Sequence, residues 1–243
     1  MTGTEMLYAL DLFGTLVFAV TGAFRAVKYE LDILGVLVLS VFTGVGGGIL
    51  RDVILGAYPP AVFTNETYLL VCLGGGLLVF FTAPYIARWW NLVKVFDALG
   101  LGVFAALGAL KGYDHGLGPI GVVMMGTMTA VGGGVIRDIL VSEIPAVLSS
   151  DFYATAAALG ALALWGCKAL GWGNEISLMV CATLTIGLRL LAMKFQFGLP
   201  RVRNLPAPPG ELARRFAFPW KKAWKNRIHR EAAKSAKKAK KRN

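Results

Sequence analysis

Long apolar stretches alternate with short polar ones along most of this 243-residue chain. Each stretch approaches or exceeds the roughly 20 residues that cross a hydrocarbon core about 30 Å thick. The pattern predicts an all-α membrane protein with seven transmembrane helices, at residues 6–27, 33–55, 66–87, 94–113, 117–141, 152–171 and 175–197. The first stretch lacks a preceding basic region and a following cleavage site, so we expect it to be retained and not removed as a signal peptide.

Composition and charge support a membrane location. Residues of hydrophobic type make up 56% of the chain and charged residues only 16%, which is too apolar for the surface of a soluble protein. Residues 201–243 hold 15 of the 25 Lys and Arg residues and only two acids, and the proline-rich segment 204–212 links them to the last span. We expect this basic tail to lie against anionic lipid on the cytoplasmic side, with no nucleic-acid partner.

The basic residues of the loops orient the chain in the membrane. Arg25 and Lys28 follow the first span, Arg88 and Lys94 lie between the third and fourth spans, and the basic tail follows the seventh. All of them fall on one side of the membrane. Cytoplasmic loops carry an excess of Lys and Arg. The prediction is a multi-pass protein of the cell (inner) membrane with its amino terminus outside and its carboxyl terminus in the cytoplasm.

The chain contains an internal duplication. A shift of 86 residues aligns the first three spans with the next three without a gap. The matched pairs include Asp11 with Asp97, Thr43 with Thr129, Arg51 with Arg137, Asp52 with Asp138, and Pro59 with Pro145. Because each copy has an odd number of spans, the second copy must enter the membrane from the opposite side. The prediction is two inverted three-helix repeats at 1–87 and 88–173, a seventh helix at 174–199, and a linker with the basic tail at 200–243.

Three consecutive glycines lie in the second span of each repeat. They are Gly46, Gly47 and Gly48 in the first repeat and Gly132, Gly133 and Gly134 in the second. Each glycine costs a helix interior about 1 kcal/mol relative to alanine, which makes the backbone easy to bend or unwind. We therefore predict that both triplets are non-helical or bent and lie close together near the bilayer midplane. The alternative is that they only allow close helix packing.

An Arg-Asp pair follows each glycine triplet, at Arg51-Asp52 and Arg137-Asp138. Ionisable groups within a span are costly unless they pair or face water, and they usually mark an ion or substrate path. The pairs therefore predict a central hydrophilic conduit, and the alternative is that they lock the helix bundle as internal ion pairs. Thr43 and Thr129 precede the triplets by one turn and either bond back to a carbonyl or line the path.

Two further pairs of repeat-equivalent residues are charged. Asp11 and Asp97 lie near the starts of spans 1 and 4, where they are interpreted as groups that satisfy the amino ends of the helices. Arg25 and Lys111 lie at the far ends of these spans. They either extend to the interface or act as gating or ion-path charges.

The sequence offers no catalytic chemistry. Cys72, Cys167 and Cys181 have no paired spacing and are predicted to pack as small apolar residues, and no metal-ligand set is visible. The glycine motifs lack the strand of a dinucleotide fold and the Lys of a phosphate loop. No nucleophile motif is present. We expect neither an enzyme nor a cofactor.

The motifs GGGILRD and GGGVIRD, placed in two three-span units and followed by a seventh span, resemble the prokaryotic branch of the trimeric intracellular cation channels. The resemblance covers residues 6–197 and excludes the basic tail. It implies a homotrimer with one pore in each protomer, through which potassium and sodium permeate an hourglass between the bent second and fifth helices. The expected ligands are these ions, with bound lipid left open. The predicted ion path comprises Thr43, Gly46, Gly47, Gly48, Arg51, Asp52, Thr129, Gly132, Gly133, Gly134, Arg137 and Asp138.

Bacterial relatives of that family have also been described as glycine transporters, so a second function remains open. In a channel, Asp52 and Asp138 attract cations while the arginines position them or narrow the pore. In a secondary carrier, the two repeats rock around a small amino acid near the midplane. A structural membrane bundle is the third possibility. The sequence contains no large extramembrane domain and no long lid, which favours the channel.

Overall fold

The computed structural model describes residues 3–86, 90–149 and 152–195. These residues form α-helices joined by short connections. The helices are α1 Gly3–Lys28, α2 Ile33–Ile54, α3 Ala61–Thr64, α4 Thr67–Ile86, α5 Trp90–Asp114, α6 Pro119–Leu140, α7 Ala146–Ser149, α8 Ala154–Ala169 and α9 Asn174–Phe195. Arg88, the linker and the basic tail lie outside the described residues, so their predicted roles in orientation and lipid binding stay predictions.

The seven long helices match the seven predicted spans to within a few residues. Five of them, α1, α2, α5, α6 and α9, are long and apolar enough to cross a membrane, whereas the apolar parts of α4 and α8 are shorter. The single turns α3 and α7 were not predicted. Each of them lies between the second and third long helix of a repeat, so the two repeats share this detail as well.

The two repeats pack against each other through equivalent residues. The rings of Phe18 and Phe104, which the 86-residue shift aligns, are stacked with their centroids 5.3 Å apart and their planes 14° from parallel. Both rings are fully buried in the largest apolar cluster of the described residues. A contact between equivalent residues is expected where two copies are related by a local two-fold axis.

The glycine triplets lie where α2 crosses α6. A Cβ atom at Gly47 would collide with the carbonyl oxygen of Thr129, and one at Gly133 would collide with that of Thr43. A Cβ at Gly132 would lie 3.2 Å from the Cα of Gly47. The triplets are therefore close together, as predicted, because only glycine lets the two backbones approach this closely.

Of the two predicted forms of the triplets, non-helical or bent, the non-helical form is wrong. Helix α2 is continuous from Ile33 to Ile54 and α6 from Pro119 to Leu140, so both triplets keep helical backbone. The physical reason is that contact between the two helices, together with intact backbone hydrogen bonds, offsets the intrinsic cost of glycine in a helix. Close packing, the alternative interpretation of these glycines, is supported by the structure, and a bend of either helix at its triplet stays a prediction.

Candidate ion path and its two charge clusters

The two Arg-Asp pairs occupy the last turns of α2 and α6. Each helix ends in the same way, with a residue of positive φ, Gly56 (70°) or Ser142 (57°), four positions after the aspartate. The following amide donates back to the aspartate carbonyl, at 2.8 Å from Ala57 to Asp52 and 2.8 Å from Glu143 to Asp138. This local capping satisfies the end of each helix and places the aspartate side chain against the next connection.

Within each pair the arginine and the aspartate bond to each other. Arg51 Nε donates to Asp52 Oδ1 at 2.9 Å, and Arg137 Nε donates to Asp138 Oδ1 at 2.9 Å. All four side chains are buried, with exposures of 6% or less. Burial at this level is tolerated only because each charge has partners.

We name the first group of charges the Asp52 cluster, which comprises Asp11, Arg51, Asp52, Tyr68 and Lys111. Arg51 Nη2 and the Tyr68 hydroxyl both donate to Asp11 Oδ2, at 3.3 and 3.1 Å. Asp52 accepts from Lys111 Nζ at 2.7 Å and from the amide of Ala61, at the start of α3, at 3.1 Å. Two carboxylates and two bases therefore neutralise each other here.

The second group, the Asp138 cluster, comprises Thr21, Arg25, Asp97, Arg137 and Asp138. Arg137 Nη1 donates to Asp97 Oδ1 at 2.9 Å and to Thr21 Oγ1 at 3.1 Å. Asp138 accepts from the amide of Ala146 at 2.9 Å, and Arg25 Nη2 lies 3.6 Å from its Oδ1. The arrangement repeats that of the Asp52 cluster, with Asp97 in the place of Asp11.

The clusters lie at opposite ends of the helix bundle. Helix α1 contributes Asp11 to one and Arg25 to the other, and these residues are 14 positions apart. At 1.5 Å per residue the separation along the helix is about 21 Å. The α2–α6 glycine contact lies between the two clusters, because each triplet precedes its Arg-Asp pair by about one turn.

Two cavities that share lining residues lie at the Asp52 cluster. The wide cavity has a volume of about 330 Å³, and its lining includes Asp11, Arg51, Tyr68, Lys111 and Asp114. The narrow cavity, about 20 Å³, shares Asp11, Arg51 and Tyr68 with the wide one and reaches the backbone of Gly48. A volume of this size holds about one water molecule. A wide cavity with charged residues in its lining therefore adjoins a space of single-water width beside the first glycine triplet.

A carboxylate in the loop after α6 joins the Asp138 cluster to the end of α1. Glu143 Oε2 accepts from Arg25 Nη1 at 2.6 Å, and its Oε1 accepts from Lys28 Nζ at 3.2 Å and from the Tyr29 hydroxyl. Burial by itself raises the pKa of Glu143, but the Tyr29 hydrogen bond and the charges of Arg25 and Lys28 outweigh it and hold the pKa below its ordinary value. The bond to Glu143 and partial burial raise the pKa of Tyr29.

Known proteins are similar to this chain in sequence and fold. A family model described as a glycine transporter matches residues 8–84 and 94–169, two segments that begin 86 positions apart, as the internal repeat requires. The UPF0126 inner membrane protein YadS of Escherichia coli (strain K12) is 38% identical over 80% of this chain and 95% of its own.

Two solved structures are similar over nearly their whole length. One, from work on the structural basis for conductance through TRIC cation channels, has a TM-score of 0.76 and 38% identity and covers 82% of this chain and 98% of its own. The other, a TRIC trimeric intracellular cation channel orthologue from Rhodobacter sphaeroides, has a TM-score of 0.76 and 36% identity and covers 79% of this chain and 99% of its own. The chain belongs to the TRIC channel family. It is a multi-pass inner membrane protein and a homologue of cation channels, not of enzymes.

The structure of this TRIC homologue separates the predicted site residues into two groups. Arg51, Asp52, Arg137 and Asp138 form the centres of the two charge clusters, and Gly48 borders the narrow cavity. Four of the other triplet glycines and the two threonines lie in helix contacts. They are Gly46, Gly47, Gly132, Gly133, Thr43 and Thr129. Gly134 faces the hydroxyl of Tyr153, just before α8. Thr43 and Thr129 are fully buried and donate back to Leu39 and Met125 at 2.6 and 2.7 Å, which is the first of their two predicted roles.

Several site residues were missed or misinterpreted from the sequence. Asp11 and Asp97 lie more than a turn inside α1 and α5, where they pair with arginines, so their interpretation as helix-end groups is wrong. The available signal was the 86-residue shift, which aligns Asp11 with Asp97 as it aligns Arg51 with Arg137. Arg25 and Lys111 are ion-paired and not merely extended to the interface. The 86-residue shift pairs Tyr68 and Glu143 with alanines, Ala154 and Ala57, so the repeat gave no signal for them.

Among residues 3–86, 90–149 and 152–195, no group of three or more His, Cys, Asp or Glu side chains is placed to hold a metal ion. Cys72, Cys167 and Cys181 are free and buried. They pack as the small apolar residues that their scattered spacing predicted.

Proposed function

We propose that this TRIC homologue is a channel for monovalent cations, potassium and also sodium, with one path in each protomer. The observation that supports the proposal is a pair of adjacent cavities. Asp11 and Arg51 line both of them, and the narrow one reaches Gly48. Charged groups at membrane depth that border a water-sized passage are typical of ion paths. The solved relatives are cation channels, which agrees with this function.

The proposed path runs along the α2–α6 contact, from the Asp52 cluster to the Asp138 cluster. In the described arrangement Asp52 accepts three hydrogen bonds and Lys111 covers it from the wide cavity. The path is therefore closed at this end, and a permeating cation requires Lys111 to move away from Asp52. Lysine suits this role because its ammonium lies on a flexible four-carbon stem.

The proposed architecture is two inverted three-helix repeats with a seventh helix, assembled as a homotrimer. The reciprocal contacts of Phe18 with Phe104 and of Gly47 with Thr129 support a local two-fold axis that relates the repeats. The positions of loop bases support an amino terminus outside, which places the wide cavity on the outer face. Trimeric assembly rests on the trimeric relatives.

The test is single-channel recording of the purified protein in a planar bilayer. In a gradient of potassium chloride the reversal potential should move toward that of potassium, and replacement of potassium by sodium should leave a measurable current. A reversal potential at that of chloride, or no steps in current across the accessible range of voltage, contradicts the proposal.

A carrier for glycine is the second candidate function. The family model is described as a glycine transporter, and the wide cavity offers both signs of charge, with Lys111 and Arg51 for a carboxylate and Asp11 and Asp114 for an ammonium group. Proteoliposomes loaded with glycine should then show saturable exchange of radiolabelled glycine and no single-channel steps. Channel steps without exchange favour the cation channel.

A further inference from the structure

The surroundings of the two bases at the ends of the proposed path differ at three repeat-equivalent positions. Arg25 and Lys111 are equivalent and both basic, but their surroundings are not alike. The 86-residue shift aligns Lys28 with Asp114, Tyr29 with His115, and Glu143 with Ala57. Lys28, Tyr29 and Glu143, which we name the Glu143 clamp, are in contact with one another at the Asp138 end. The residues at the Asp52 end cannot form the same contacts.

Arg25 is shared between two carboxylates. Its Nη1 lies 2.6 Å from Glu143, whereas its Nη2 lies 3.6 Å from Asp138. The first distance is that of a charge-assisted hydrogen bond, and the second is too long for one. The guanidinium of Arg25 is therefore hydrogen-bonded to Glu143 and not to Asp138.

At the other mouth the base binds the aspartate directly. Lys111 Nζ lies 2.7 Å from Asp52, and Ala57 stands at the position of Glu143. The other polar groups at the end of α5 do not replace the clamp, because His115 contacts the carbonyl of Lys111 and Asp114 lines the wide cavity. Without a second acceptor for the base, this aspartate is covered.

We infer that Glu143 is a positioning residue that holds Arg25 off Asp138, so that cations enter the path more readily from the Asp138 end than from the Asp52 end. The inference rests on the proposed channel function and adds a direction to it. Lys28 and Tyr29 hold Glu143 in place as donors to its Oε1. Asp138 consequently keeps more of its negative potential than Asp52, and a negative potential at a mouth raises the local cation concentration.

The expected effect follows from the charge that Arg25 would neutralise. When Glu143 is replaced by Gln, the guanidinium loses its stronger partner and can close onto Asp138. Cancellation of one unit charge about 10 Å from a permeating ion in water lowers the local cation concentration about twofold. Glu143→Gln should therefore reduce the current of cations that enter from the Asp138 end about twofold and leave the opposite current less changed.

The experiment is the ratio of outward to inward current in inside-out patches with symmetric potassium chloride. Glu30→Gln is the matched control, because Glu30 is an exposed acid in the turn after α1 and has the same charge. It should leave the ratio unchanged. Ala57→Glu places a carboxylate at the equivalent position beside Lys111 and should raise the current that enters from the Asp52 end.

A double substitution shows whether Glu143 acts on the current by holding Arg25 in place or directly through its own negative charge. In an Arg25→Ala background, Glu143→Gln should have no further effect on the current ratio, because the residue through which it acts is absent. If the effect persists in that background, or if Glu143→Gln leaves the ratio of a conducting parent unchanged, the inference is overturned and the channel function stands.

A parent without cation current overturns the proposed function and this inference with it. If Glu143→Gln does not assemble, Tyr29→Phe takes its place, because it removes a hydrogen-bond donor to Glu143 without a change of charge. Its current ratio is then compared with that of the parent, alone and in the Arg25→Ala background.

Discussion

The ammonium of Lys111 lies 2.7 Å from Oδ1 of Asp52, although Lys111 belongs to the first helix of the second repeat and Asp52 to the second helix of the first. The reverse pairing, Arg25 of the first repeat with Asp138 of the second, occurs at the other end of the bundle. The two repeats are thus joined by opposite charges at both ends. Each of these pairs also lies on the proposed ion path, which makes the charges suitable targets for substitution.

Neutralisation of the path aspartates should alter permeation without loss of assembly. In Asp52→Asn, Arg51 keeps Asp11, and in Asp138→Asn, Arg137 keeps Asp97, so neither buried arginine is left without a carboxylate. We expect lower cation conductance or weaker selectivity for cations over anions, because a carboxylate at a narrow wet path concentrates cations.

Both aspartate variants are purified with the parent, checked for oligomeric state, and recorded in symmetric and asymmetric potassium chloride. Parental conductance and reversal potential in two normally assembled variants would falsify the role of these aspartates in permeation. Misassembly of both variants would instead establish the structural ion-pair interpretation.

Removal of the base that covers Asp52 should increase cation current. Lys111→Gln keeps a side chain of similar length but leaves Arg51 as the one base of the cluster for both Asp52 and Asp11, so one negative charge is uncompensated. A unit charge at about 10 Å in water changes the local cation concentration about twofold. The Lys111 side chain is 31% exposed and the buried Asp52 keeps its bond to Arg51, so the variant should still assemble. The measurement is single-channel conductance at low salt.

Lys168→Gln is the control for Lys111→Gln, because Lys168, like Lys111, is a partly exposed lysine. It lies at the end of α8 and bonds to Asn174 at 2.6 Å, outside the charge clusters. Equal changes in conductance for both lysine variants would show a general effect of surface charge and not a specific effect at Asp52.

A methyl group at the α2–α6 crossing should destabilise the protein. Gly47→Ala and Gly133→Ala place a Cβ against a backbone carbonyl that cannot rotate away, and overpacking of this kind costs about 1–3 kcal/mol. We expect each variant to lower the melting temperature in mild detergent.

Gly74→Ala and Gly187→Ala serve as controls for the crossing, because a Cβ at either helical position meets no atom within 4 Å in the protomer. They should be neutral or stabilising, since alanine favours helix. Similar melting temperatures for all four alanine variants would contradict the importance of the close contact.

The Glu143 clamp should contribute to stability in a pH-dependent manner. A carboxyl group with a lowered pKa in the folded protein stabilises it above the ordinary pKa of glutamate, about 4.3, and this contribution is lost as the pH falls through the folded value. The parent should therefore melt above Glu143→Gln at pH 7, and the difference should shrink below about pH 4.3. A difference that is constant from pH 7 to pH 3 would contradict an ionised clamp.

Much of the fold was predictable because it depends on properties local to the chain. An apolar stretch long enough to cross the hydrocarbon core has few alternatives to a helix, so the seven long helices appear where the pattern placed them. The duplication was visible as a fixed shift of 86 residues, and the family model matches both copies. The Arg-Asp pairs were recognisable because charges are rare at membrane depth.

The partners of those charges were decided by tertiary structure alone. The sequence determined that the glycine triplets were unusual. It did not determine whether they would interrupt a helix or pack closely against a neighbouring helix, since both outcomes depend on which residues face the triplets. The close contact of the Thr129 backbone with Gly47 shows that the triplet packs against a neighbouring helix. In the same way Asp11, Tyr68 and Glu143 have no local pattern that names their partners, because Arg51 and Arg25 reach them across helices distant in the chain. Ion pairs of this kind depend on the distance between side chains in space, and that distance exists only once the helices have packed.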